Sequence, residues 1–87
     1  MTKPVAAATF SAKVTAVQAK RFLDAAQEAV DLAYAHGIAG KTTPIPAVTL
    51  DVSADTPGDV LSDMMAGLKE WGQRGYVAGY ADRPKGH

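Results

Sequence analysis

Four aspartates, Asp51, Asp55, Asp59 and Asp63, recur at every fourth position of this chain, and no lysine or arginine lies between Thr42 and Gly67. Residues 43–72 carry five acids and one lysine, a balance of about −4, while the flanks are each about +2. Fixed carboxylates of this density suit docking to a basic partner, because complementary charge sets encounter rate and partner choice. The bland alternative is a solvated loop leading into a helix whose positive dipole end favours acids.

Asp51, Ser53, Asp55 and Asp59 also fall at positions one, three, five and nine of a calcium loop. Thr56 then stands where the turn glycine belongs, and Ser62 where the closing glutamate belongs, so no metal is assigned. Gly37, Gly40, Lys41 and Thr42 echo the end of a phosphate-binding loop. Ala35 occupies the first glycine's place, and the segment follows a helix instead of a strand. His36 and His87 are the two histidines, and no oriented nucleophile accompanies either. No enzyme activity and no cofactor are therefore expected. A second cluster joins Trp71, Tyr76 and Tyr80 to Arg74 and Arg83, residue types that dominate protein interfaces. Of these, Trp71 is expected in the core and Tyr76 and Tyr80 at the surface.

The 87 residues are expected to form one domain with short tails at 1–4 and 82–87. Zero formal net charge argues against nucleic acid as a direct ligand. The absence of cysteine excludes disulfides and thiolate metal sites. No apolar run reaches membrane-spanning length, so a cytoplasmic location and no membrane contact are expected.

The elements that must hold these side chains follow from periodicity. Thr15-Ala-Val-Gln18 is a capping box, opening a helix over Ala16–His36 with Gly37 as its stop. Thr56 and Pro57 are read as the cap and first residue of a second helix ending at Gly75. Its stripe is Val60, Leu61, Met64, Met65, Leu68 and Trp71, with Leu68 at the buried centre. Alternation predicts strands over Ala47–Ser53 and Tyr76–Ala81, and over Val5–Val14, where the alanines favour helix as the alternative. The expected fold is α+β, or a small α/β, in the order β-α-β-α-β, with both helices on one sheet face.

A small cysteine-free domain with uneven charge and no catalytic equipment resembles the accessory proteins of bacterial viruses, including inhibitors of host defence complexes. The resemblance implies a non-catalytic module that docks on a larger protein or complex. The docking surface would be Asp51, Asp55, Asp59 and Asp63, or else Arg74, Tyr76, Tyr80 and Arg83. A structural or assembly subunit, either a virion component or a homo-oligomer, is the alternative, and a nucleic-acid-binding accessory protein is a further one.

Overall fold

A computed structural model describes residues 3–10, 14–42, 48, 50 and 56–84. Two long helices carry the fold, α1 over Ala16–Ile38 and α2 over Gly58–Asp82. The capping box forms as the spacing requires: the Gln18 N–H donates to Thr15 Oγ1 and the Thr15 N–H donates to Gln18 Oε1, both at 3.1 Å. The Lys20–Asp24 pair one turn apart also forms, at 3.2 Å.

The two helices run side by side in the same direction. Phe22 faces Gly67, Val30 faces Gly75 and Tyr34 faces Gly79. The offsets, 67 less 22, 75 less 30 and 79 less 34, are all 45, which only parallel helices produce. Side chains at the two ends agree. Gln18 Nε2 donates to Thr56 Oγ1 where the helices begin, and the Tyr76 hydroxyl donates to the Lys41 carbonyl where they end. The chain returns between them through residues 39–57. Nineteen residues can span roughly 60 Å when extended, against about 34 Å for the helix they must pass.

Parallel helices align their dipoles, so charge at the ends matters. Asp59 lies in the first turn of α2 and His36 in the last turn of α1. Arg83 follows α2 and donates from Nη1 to the Tyr80 carbonyl at 3.1 Å. The charges of Asp59 and Arg83 each oppose the partial charge of the helix end they adjoin.

Small residues set the contact. Ala29, Val30, Ala33 and Gly37 of α1 and Gly75, Ala78 and Gly79 of α2 are all buried. A Cβ on Gly75 would stand 2.7 Å from the Val30 carbonyl oxygen, and one on Gly79 would meet the Tyr34 backbone. Here backbone touches backbone. Toward the other end the helices part, because Gly67 meets the ring of Phe22 and not its backbone. Phe22, Ala26, Val60 and Met64 form the core there, with Phe10, Val14, Leu50 and Trp71 packed around it.

The α+β expectation is therefore overturned: the described residues form two helices and no strand. Tyr76–Ala81 is helical because Gly75, Ala78 and Gly79 let α2 continue along α1, and burial overrides the local strand preference. Residues 3–10 take up no regular secondary structure. Of Ala47–Ser53, Val48 and Leu50 are described and lie outside any strand; the others fall outside the described residues. Two stop signals are also corrected. Gly37 lies inside α1, buried on α2, and Gly40 takes the positive φ of 66° beyond the helix end. Gly75 lies inside α2. Pro57, not Thr56, is the N-cap of α2, and no side chain caps it.

Candidate docking groove

The segment 3–10 runs antiparallel to α1 and is held mainly by that helix. Lys3 pairs with Asp31 at 3.0 Å. The Ala6 N–H donates to Gln27 Oε1 at 2.9 Å, and Gln27 Nε2 donates onward to Asp31 at 3.0 Å. Phe10 meets Phe22 edge to face, with ring centroids 5.7 Å apart at 84°. One glutamine amide thus joins the backbone of this arm to the carboxylate that anchors its lysine.

The Lys3 ammonium, then the Gln27 amide, hold the Asp31 carboxyl below the ordinary carboxylate range, against a smaller opposing effect of burial. A carboxyl whose folded value is lowered stabilises the arm above its ordinary value. That contribution fades as pH falls through the lowered value. The arm is therefore expected to loosen in acid below about pH 4. Amide exchange at Ala6 should speed up relative to Ala26 as pH falls, after correction for intrinsic rates. Parallel behaviour of the two amides would contradict the link.

Between the arm and α2 lies a groove made of two hollows that share Glu70, Trp71 and Arg74. The first, about 470 Å³, is walled by Phe10, Phe22, Val60 and Met64, with Asp63 on its rim. The second, about 610 Å³, lies between Val5 and Val77. Both valines are largely exposed, at 77% and 58%. The Arg74 guanidinium sits 4.7 Å over the Trp71 ring and pairs with Glu70 one turn earlier. The groove exists because the helices part at the Phe22 level and the arm covers only the α1 side of the gap.

The residues expected to bind a partner divide between two places. Asp63 and Arg74 both line the groove. Asp59 is exposed one turn before Asp63, whereas Asp51 and Asp55 fall outside the described residues. Tyr76, Tyr80 and Arg83 gather at the far end of α2. The tyrosine rings stack with centroids 6.0 Å apart, and the Arg83 guanidinium lies 3.7 Å from the Tyr80 centroid. The two rings share a face because they are four apart on a helix, not two steps apart on a strand. Beside them Tyr34 donates to Asp82 at 2.8 Å, and the carboxylate raises the Tyr34 hydroxyl above its ordinary pKa. His36 Nδ1 lies 3.2 Å from the Leu32 carbonyl.

Phe10 and Glu70 were not foreseen as site residues, and Trp71 was assigned to the core. Trp71 is half-buried, with one face inward and the other under Arg74. The four-residue spacing of Glu70 and Arg74, bracketing Trp71, was the available signal. Among the described residues no group of three His, Asp or Glu side chains could hold a metal ion. No helix among them is long and apolar enough to cross a membrane.

Comparison with family models, curated proteins and solved structures finds no match to this chain. The likeness to viral accessory proteins and inhibitors accordingly gains nothing from relatives, and the α+β profile that went with it is replaced by a pair of helices.

Proposed function

We propose that the chain is a non-catalytic protein-interaction module that docks through the groove between residues 3–10 and α2. The observation that carries this reading is Trp71. A half-buried tryptophan beneath an arginine, between a hollow of mixed polarity and a mainly apolar one, is the composition of an interface anchor. Apolar side chains of a partner would fill the hollows. Asp63, Glu70 and Arg74 form a charged rim that selects orientation.

Affinity capture with paired variants tests the reading. Trp71→Ala is expected to weaken docking about 30-fold or more, the effect of losing a central aromatic anchor. Tyr80→Ala should leave docking intact. The reverse pattern would move the interface to the exposed Tyr80–Arg83 stack, which is the second surface with interface chemistry.

A further inference from the structure

We infer that the occupant of this groove is a second copy of the same chain, bound about a two-fold axis with the two α2 helices antiparallel. The inference rests on the docking role of the groove and names its partner. A two-fold interface requires a self-complementary face, on which residue i meets j and j meets i. The groove face of α2 has that property about the level of Leu68 and Lys69.

Asp63 lies as far before that level as Arg74 lies after it, and both side chains are exposed groove residues. An antiparallel α2 therefore sets Arg74 of the second copy against Asp63, and the symmetry repeats the pair. Val77 lies as far beyond the level as Val60 lies before it. Exposed Val77 of the second copy thus reaches the hollow walled by Phe10, Phe22, Val60 and Met64. At the centre Ala66 and Gly67 offer little bulk, and Trp71 of the second copy lies across them.

Two further features favour this partner. The chain's formal net charge is zero, so two copies meet without net repulsion. Within one copy the helix dipoles are parallel, and a second copy turned end for end opposes them. Arg74 keeps its Glu70 contact within the helix and extends to Asp63 of the second copy.

Sedimentation velocity on the full chain at rising concentration provides the test. The unaltered chain is expected to form dimers. Asp63→Arg and Arg74→Asp should each weaken self-association about tenfold or more, because each places like charges together twice. Mixing the two single variants should restore a dimer, since each copy then meets its opposite charge at both positions. The double variant should also self-associate. Circular dichroism of each variant controls for folding, and both sites are exposed. A chain monomeric at every concentration, or single variants that dimerise normally, would overturn the inference. So would a mixture that stays monomeric. A monomer that loses a foreign partner on Trp71→Ala overturns the second copy as occupant while keeping the groove. If Trp71→Ala alters no association, the groove reading fails with it.

Discussion

Gly79→Ala is expected to destabilise the chain by about 1–3 kcal/mol, although alanine is the better helix former. The added methyl would strike the Tyr34 backbone, whose carbonyl carbon and Cα would both be 2.9 Å away. Neither atom belongs to a flexible side chain, so the helices must separate along their glycine contacts. Gly72→Ala, two turns earlier on the same helix, meets nothing within 4 Å. That change should stabilise the chain by roughly 0.5–1 kcal/mol through helix propensity alone. Urea denaturation midpoints should therefore move in opposite directions. Two upward shifts would mean that α2 does not lie against α1 at Gly79.

Phe22→Ala should cost about 3–5 kcal/mol, a large share of the stability of a domain this small. The ring is 4% exposed, meets Phe10 edge-on and packs over Gly67. Its loss empties the wider end of the helix pair and removes one wall of the groove. Leu68 is half-buried, so Leu68→Ala should cost less than the 2–5 kcal/mol of a fully buried leucine. Thermal unfolding of both variants orders the two effects. A larger loss at Leu68 would place the core on the other side of α2.

The stripe of α1 was legible in the main because Ala16 and its successors repeat apolar side chains at helical spacing behind a capping box, whereas on α2 Met65 of the expected stripe is exposed and Leu68 half-buried. The path of α2 past Gly75 was not. Glycine at a helix end and glycine in a helix contact look alike in one chain, since the difference is the backbone of another helix. Tyr76 and Tyr80 likewise favour strand locally, and only their place beside Gly37 makes them helical. Residues 3–10 alternate as a strand would, yet a Gln27 side chain supplies the hydrogen bond to Ala6 that a neighbouring strand would have made. Asp63 and Arg74 were expected on alternative surfaces, the acidic run and the aromatic and basic cluster, yet both line the one groove. Their approach to one groove depends on the splay at Phe22, which no local pattern encodes.

The parallel direction of α1 and α2 underlies the groove, the glycine contacts and the proposed symmetric interface. Spin labels test it most directly, because the chain has no cysteine of its own. Lys20→Cys combined with Asp63→Cys places both labels near the start of the helices. Lys20→Cys combined with Ala81→Cys places them at opposite ends. At 1.5 Å per residue and an offset of 45, the axial separations are about 3 Å and about 24 Å. Pulsed electron resonance, with labelled chain diluted in unlabelled, should find the second pair farther apart by more than about 10 Å, since lateral distance adds to both. A shorter distance for Lys20 and Ala81 than for Lys20 and Asp63 would show antiparallel helices and contradict the arrangement.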